Sequence, residues 1–355
     1  MKHVVFIIGP ALGHVSRSLI IARELAKLAH NKISFLMVTP GYGEKLLLSE
    51  FPFEKIVYKE RGDVLFADGI EMAVKKINPD MICIDMTPMP WLKFVRFPKI
   101  PIVYITNYFL TNICEYLTCQ QILFEHQKCQ LNSIRKLRGL SEIKNIKDLY
   151  ELGHVILCDP LEIVNITNKL PDNYHIVGPC LWESEIDLPE ELNDLDDILF
   201  ISLGSTGVKP IPQLYINEIV SELGIKDVVW LGSNLTKVNN NNNYTNHYYK
   251  WLPLSQMINR SKFVISQGGA GSTYHTLANG VACGVWPSHQ NHTVMGLIVQ
   301  NYGCGILIND SSIVLRNLHI LFESLNDRSK FLANSLKSIN GPFNAANKLI
   351  ELLDN

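Results

Sequence analysis

The chain contains 355 residues, which exceeds one ordinary α/β domain and predicts two domains of about 150 residues each. Apolar residues make up 47% of the sequence and charged residues 19%, so the composition favours well-buried cores and excludes a disordered chain. The formal net charge is −2 and no long basic stripe occurs, so we expect no binding to nucleic acid.

The first apolar run, Val4–Ile8, ends at Gly9-Pro10. It is shorter than the roughly 7–15 apolar residues of a secretory signal. No later segment approaches the ~18 uninterrupted apolar residues of a membrane-spanning helix. We therefore expect a cytoplasmic protein.

Short apolar runs alternate with amphipathic stretches, which is typical of strand–helix–strand units and parallel sheets. The first set of predicted strands is Val4–Ile8, Ile33–Val38, Met81–Ile84 and Ile102–Ile105. The second set is Ile198–Leu203, Val228–Leu231, Phe263–Ser266, Val281–Trp286 and Gly305–Ile308. The pattern predicts an α/β fold with two similar halves.

Proline, glycine and an acidic run between the two sets of strands indicate a linker over residues 166–190. The N-terminal domain then covers residues 1–165 and the C-terminal domain covers 191–335. Residues 336–355 end in an amphipathic helix, which we expect to pack back on the N-terminal domain.

The sharpest motif is a strand that runs into three glycines and two hydroxyl residues, and then into a helix. Its residues are Gln267, Gly268, Gly269, Ala270, Gly271, Ser272 and Thr273. Glycines let backbone amides approach an anion closely, and a helix N-terminus adds free N–H groups and partial positive charge. The glycine spacing by itself is equally compatible with a tight turn that binds nothing.

The loop is flanked by Trp251-Leu252-Pro253 upstream, and by Val285-Trp286-Pro287, Asn291-His292 and Tyr302-Gly303-Cys304-Gly305 downstream. This order resembles the C-terminal signature of the family 1 UDP-glycosyltransferases, to which the N-acetylglucosaminyltransferases that form lipid II are related. The resemblance implies the GT-B architecture, in which two Rossmann-like domains with parallel sheets face a central cleft. It also implies that the second domain binds a nucleotide sugar and the first domain the acceptor.

The resemblance assigns donor contacts residue by residue. It places Trp251 against the nucleobase, the backbone of Leu252 at the base edge, and the 267–273 loop at the diphosphate. A second glycine–serine loop, Gly204-Ser205-Thr206, falls near the phosphates. Trp251 is also a reasonable core aromatic.

Several positions depart from the family pattern. Gln267 stands where the family has a histidine, Leu254 where it has a glutamine, and His275 where a glutamate usually binds ribose. Asn291 and His292 replace an acidic residue and a glutamine that grip sugar hydroxyls. Two interpretations stay open: the donor is a deoxythymidine diphosphate sugar, which lacks the 2′-hydroxyl, or the site no longer transfers sugar.

In the first half, Gly13-His14-Val15 follows the first strand and resembles the family's Gly-His motif, whose histidine deprotonates the acceptor. Asp85, which ends the strand Met81–Ile84, is the candidate partner for the imidazole. Arg17 lies one helical turn after His14, so we expect Gly13 and Arg17 to meet a phosphate or the acceptor. A helix cap or a surface group is the plainer alternative for each of these side chains.

The sequence thus predicts an inverting glycosyltransferase with His14 as base, a UDP- or dTDP-sugar as co-substrate, and neither a metal nor another cofactor. A nucleotide-sugar hydrolase and a non-catalytic partner of another transferase are the alternatives. The acceptor and the oligomeric state are not determined by the sequence. Residues 89–97 mix aromatic and basic side chains, which makes them a candidate for peripheral membrane contact.

Overall fold

The structure is a computed structural model that describes residues 1–9, 11–37, 46, 50–56, 63–111, 113–150, 152–164, 169–204, 209–232, 243–309 and 313–354. Ser205 and Thr206, two of the predicted phosphate contacts, lie outside the described residues. The chain divides into two compact units. The first comprises Met1–Leu181 and Asn340–Asn355, and the second comprises Trp182–Ile339.

The first unit is built on a seven-stranded parallel sheet. Its strands are β1 (His3–Ile8), β2 (Lys32–Met37), β3 (Phe53–Lys55), β4 (Met81–Asp85), β5 (Ile102–Thr106), β6 (His154–Leu157) and β7 (Tyr174–Ile176). Its first five helices are α1 (Leu12–Leu28), α2 (Val64–Ile77), α3 (Pro88–Trp91), α4 (Cys119–Leu137) and α5 (Lys147–Tyr150), with 3₁₀ turns at Tyr108–Leu110 and Leu161–Ile163. The strand order is β3-β2-β1-β4-β5-β6-β7.

The second unit is built on a six-stranded parallel sheet. Its strands are β8 (Ile198–Ser202), β9 (Asp227–Leu231), β10 (Thr245–Tyr249), β11 (Ser261–Ser266), β12 (Cys283–Val285) and β13 (Gly305–Leu307). Its helices are α6 (Gln213–Leu223), α7 (Leu254–Asn259), α8 (Ala270–Ala278), α9 (Gln290–Tyr302) and α10 (Leu318–Leu336), with 3₁₀ turns at Glu190–Leu192 and Ile313–Asn317. The strand order is β10-β9-β8-β11-β12-β13.

The prediction of an α/β fold with two parallel sheets is confirmed, and each predicted strand overlaps an observed one. The central strands are buried along their whole length because helices cover both sheet faces, which is why they read as uninterrupted apolar runs. The structure adds β3, β6, β7 and β10, whose sequences are short or polar.

The last helix, α11 (Gly341–Asp354), belongs to the first unit and packs against α1. Its start requires a glycine, since a Cβ at Gly341 would lie 2.3 Å from the carbonyl oxygen of Pro179. The side chain of Asn344 donates to the carbonyl of Val177 at 3.0 Å. Near its end, Lys2 and Asp354 form an ion pair at 3.0 Å.

The segment 89–97 buries most of its apolar side chains. Met89, Leu92, Phe94 and Val95 are buried, with exposures of 5% or less. Its remaining aromatic residues pack against the same core. These apolar side chains close the core beside β4, and peripheral membrane contact through the rest of the segment stays a prediction. Among the helices in the described ranges, none is long and apolar enough to cross a bilayer.

A histidine pair lies where β6 and β7 meet α11. The His154 and His175 rings stack with their centroids 5.4 Å apart, and Nδ1 of His154 lies 3.2 Å from Nε2 of His175. Burial, Lys348 and His154 lower the pKa of His175 to about 4, although Glu351 opposes the shift. Burial and Lys348 also lower the pKa of His154.

The pair predicts an acid-sensitive first unit. Because the pKa of His175 is below its unfolded value, the unfolded chain binds more protons, and stability present above about pH 6.5 is lost as the pH falls toward 4. We expect the free-energy difference between wild type and His175→Asn to shift by about 1–2 kcal/mol between pH 7.5 and 4.5, after allowance for solvent screening. Hydrogen exchange of the β6 and β7 amides measures this. His30→Asn, at an exposed histidine, is the control, and an equal shift in both variants would contradict the assignment.

Candidate active site

The candidate site of the first unit forms where β1 and β4 lie side by side. Between these strands the sheet order reverses direction, so the loops that follow them diverge and leave a crevice at their carboxyl ends. Ile8 pairs with Asp85 in register, and the backbone N–H of Gly9 donates to the carbonyl of Asp85 at 3.1 Å. Helix α1 begins three residues after Gly9, which brings His14 above the end of β4.

Asp85 is the centre of the candidate site of the first unit. It is fully buried, and the described residues give its side chain four hydrogen bonds. Nδ1 of His14 lies 2.7 Å from Oδ1, while Nε of Arg17 and Oγ of Ser18 each donate to Oδ2 at 2.9 Å. A second guanidinium nitrogen of Arg17 donates to Oδ1. Three side chains at positions i, i+3 and i+4 of α1 therefore fix one carboxylate.

The charges set the tautomer of His14. Burial opposes ionisation of Asp85, but the charge and hydrogen bonds of Arg17, helped by His14, hold the pKa of Asp85 below its usual range. An ionised carboxylate only accepts hydrogen bonds, so Nδ1 of His14 carries the proton. In the neutral form of the ring, this tautomer leaves the lone pair on Nε2, and the His14 side chain is 24% exposed. A Cβ at Gly9 would lie 3.0 Å from the ring, so glycine gives the imidazole its space.

Arg17 does not lie where a phosphate or an acceptor could reach it, so that expectation is wrong. The side chain is buried, and its guanidinium donates to Asp85, to Oδ1 of Asn107 and to the carbonyl of Ile105. The reason is electrostatic, because an uncompensated carboxylate at Asp85 would be costly to bury. Gly13 is exposed in the first turn of α1, and its role stays a prediction.

Sequence reasoning missed three buried members of this network: Ser18, Asn107 and Asp159. Nδ2 of Asn107 donates to Oδ1 of Asp159 at 3.2 Å, and the N–H of Tyr108 donates to Oδ2 at 2.7 Å. The sequence contains a signal for Asn107 and Asp159. Asn107 and Asp159 follow β5 and β6 closely, as Asp85 ends β4, so all three lie at one edge of the sheet.

The candidate site of the second unit forms where β8 and β11 lie side by side, the point at which the second sheet order reverses. Gly204 follows β8 with φ +74°, and Gly268 follows β11 with φ +91°. A Cβ at Gly268 would lie 2.8 Å from the carbonyl oxygen of His292, so the turn requires glycine for conformation and for space. Oε1 of Gln267 lies 3.8 Å from the Cβ position of Gly204.

The start of α8 has the features of an anion site. Gly269 is the N-cap residue of α8, and no described side chain makes a capping hydrogen bond there. The first-turn amides of Ala270, Gly271 and Ser272 have no partner within the helix. These residues are accessible, and no described atom lies within 4 Å of the Cβ position of Gly271. Gln267 is 3% exposed, and its Nε2 has no hydrogen-bond partner among the residues that the structure describes. A buried amide donor therefore lacks an acceptor beside a free helix N-terminus.

The two hydroxyl groups of the loop differ in their surroundings. Thr273 is fully buried, and its Oγ1 lies 3.3 Å from Oγ of Ser266, so it fixes the turn. The predicted phosphate contact through the Thr273 side chain is therefore wrong. Ser272 is partly exposed, and its hydroxyl donates to the carbonyl of Gly269 at 3.3 Å.

Trp251 precedes α7 and is 51% exposed, which excludes the alternative of a core aromatic. The side chain of Leu252 is buried in the core between β8 and α7, so only its backbone is left for a ligand. Leu254 is partly buried against the same core.

The His275 ring is buried and paired within the protein. It is 3% exposed, and its Nδ1 lies 3.2 Å from Oε1 of Glu183 and 3.4 Å from Oγ of Ser255. A direct contact of this imidazole with ribose is therefore wrong, because its nitrogen is turned toward the carboxylate.

Asn291 and His292 lie in the first turn of α9, next to the glycine loop. The rings of His289 and His292 stack with centroids 3.7 Å apart, and Nδ1 of His292 lies 3.0 Å from Oγ of Ser288. Burial and the neighbouring His289 lower the pKa of His292 to about 3, so the imidazole is neutral at pH 7. Its contact with a sugar stays a prediction.

No protein-family model matches this sequence. Among curated proteins, the chain is 25% identical over 225 residues to a PGL/p-HBAD biosynthesis glycosyltransferase of Mycobacterium tuberculosis, a match covering 62% of this chain and 49% of that protein. It is 28% identical over 187 residues to the 2-hydroxyacylsphingosine 1-beta-galactosyltransferase of Homo sapiens, covering 49% of this chain and 34% of that protein. The matches thus span about half or less of the length of these relatives.

Solved structures share the whole architecture at low identity. The glycotransferase of kitacinnamycin has a TM-score of 0.71 at 15% identity and covers 99% of both chains. The calicheamicin glycosyltransferase CalG4 has 0.70 at 16%, covering 100% of this chain and 98% of that one. UGT2 of Phytolacca americana, solved with UDP-2fluoro-glucose and pterostilbene, has 0.71 at 14% and covers 100% of both. The chain therefore has the GT-B fold, and it resembles the family 1 UDP-glycosyltransferases.

Proposed function

We propose that this chain is an inverting, metal-independent glycosyltransferase that moves a sugar from a UDP- or dTDP-sugar to an acceptor hydroxyl. The observation that carries the proposal is the start of α8, where the unpaired amide of Gln267 adjoins accessible backbone N–H groups. A diphosphate supplies the acceptor oxygens that these donors lack, and its negative charge is favoured at the positive end of the helix.

The pair of His14 and Asp85 supports the transfer step. The acceptor O–H proton moves to Nε2 of His14 as the acceptor oxygen bonds to the anomeric carbon, and Asp85 stabilises the resulting imidazolium. The bond from that carbon to the phosphate oxygen breaks on the opposite face, which inverts the configuration. The bonding electrons leave with the nucleoside diphosphate.

The departing diphosphate gains negative charge as that bond breaks. In the proposed mechanism the α8 amides and the Gln267 side chain stabilise this charge, which is the role that a divalent ion has in other transferases. Because these donors are held by the turn before bond breaking, little reorganisation is needed when the charge develops.

The anion site predicts that a negative charge at Gly271 blocks the donor without harming the fold. Gly271→Asp places a carboxylate in the first turn of α8, where it stabilises the helix by about 0.3–1 kcal/mol but repels a diphosphate. We expect at least a 30-fold rise in the Kd for UDP by calorimetry, with an unchanged or higher Tm in the absence of ligand.

Gly271→Asn is the matched control, since it has the same size and no charge. Its Kd for UDP should stay within about fivefold of wild type. Equal affinity of the aspartate variant and wild type would contradict a diphosphate site at α8. Absence of UDP and dTDP binding by wild type at millimolar concentration would favour the alternative of a non-catalytic partner.

The base assignment predicts a loss of turnover in His14→Ala. General base catalysis contributes about 10²–10⁴-fold, so kcat should fall by at least 100-fold while the Kd for UDP changes little. Nucleotide release from a panel of UDP- and dTDP-sugars with phenolic and sugar acceptors measures this. Turnover within threefold of wild type would reject His14 as base. Release of free sugar in the absence of any acceptor would identify a hydrolase.

A further inference from the structure

Within the second unit, a carboxylate from outside the sheet is held by two helices. Glu183 lies in the extended segment that opens this unit. Its Oε1 accepts a hydrogen bond from Oγ of Ser255 and lies 3.2 Å from Nδ1 of His275. Ser255 is the second residue of α7 and His275 lies on α8, so the carboxylate lies over the seam between these packed helices.

The carboxylate is ionised and retains acceptor capacity. Burial opposes its charge, but hydrogen bonds from His275 and Ser255 hold the pKa of Glu183 below its usual range. The His275 side chain is 4% exposed, whereas that of Glu183 is 49% exposed. An ionised carboxylate has about four lone-pair sites, so two bonds to the protein leave room for two hydroxyl donors.

This carboxylate lies between the two ends of the proposed nucleotide site. Exposed Trp251 immediately precedes the turn into α7, and the proposed diphosphate site is the first turn of α8. His275 follows Ala270 by five residues, about 7.5 Å along the helix axis. In any nucleotide the ribose joins the base to the phosphates, so its hydroxyls fall along this seam. Carboxylates are the side chains that accept hydrogen bonds from ribose hydroxyls in other nucleotide-binding folds.

We propose that Glu183 accepts hydrogen bonds from the ribose hydroxyls of the donor and selects a ribonucleoside diphosphate sugar over its 2′-deoxy counterpart. The inference rests on the proposed function. It also accounts for the substitution at position 275. There a buried histidine orients a carboxylate that the chain supplies from position 183, almost a hundred residues earlier. The loss of a glutamate at 275 then no longer favours a dTDP-sugar.

UDP and 2′-deoxy-UDP, which differ by one hydroxyl, test the inference in calorimetric titrations of the full chain. We expect wild type to bind UDP at least tenfold more tightly, because a hydrogen bond to a charged group is lost with the hydroxyl. In Glu183→Ala the ratio of the two dissociation constants should fall to within threefold of one. A purely structural role for Glu183 would weaken both nucleotides by the same factor and leave the ratio unchanged.

Glu185→Ala is the matched control, because it removes an exposed carboxylate two residues along the same segment. Its ratio should equal that of wild type. Equal binding of the two nucleotides by wild type, or an unchanged ratio in Glu183→Ala, would overturn the inference and leave the proposed function standing. Failure of wild type to bind either nucleotide would overturn the proposed function, and the inference with it.

Discussion

Parallel pairing is the constraint on which the candidate site of each unit depends. All strands of a parallel sheet end at the same edge, and the loops that follow them diverge where the strand order reverses. In this chain that reversal falls between β1 and β4 in the first unit and between β8 and β11 in the second. Asp85 lies at the first of these two places and Gln267 at the second. The sheet topology alone therefore positions a polar residue at each reversal.

The first unit buries two opposite charges away from solvent. Asp85 and Arg17 neutralise each other while both are buried, an arrangement that is weakly stabilising at best but geometrically restrictive. A carboxylate with four hydrogen bonds cannot rotate, so His14 meets a fixed acceptor and keeps one tautomer. Asn107 and Asp159 continue the network to β5 and β6, which ties the orientation of the imidazole to three strands of the sheet.

In the second unit the polar groups are amide dipoles and the carboxylate of Glu183. The α8 turn offers amides and an unpaired glutamine side chain, with no cation in the loop itself. Structures that share this fold do so at about 15% identity, so the architecture tolerates extensive change in the residues that line it. In this unit the Glu183 carboxylate packs against His275, at the position where the family pattern has a glutamate.

The sequence by itself determined the two parallel sheets and the glycine loop before α8, because buried strands and tight turns leave local patterns. It proposed Asp85 as a partner of His14, and the tertiary structure decided between that role and a helix cap. The sequence did not reveal β7 or β10, whose polar residues form sheet edges that only their neighbours define. The roles of Arg17, Thr273 and His275 were decided by tertiary structure. Each of these side chains has a partner elsewhere in the chain, and whether it meets that partner or solvent depends on packing that residue spacing does not encode.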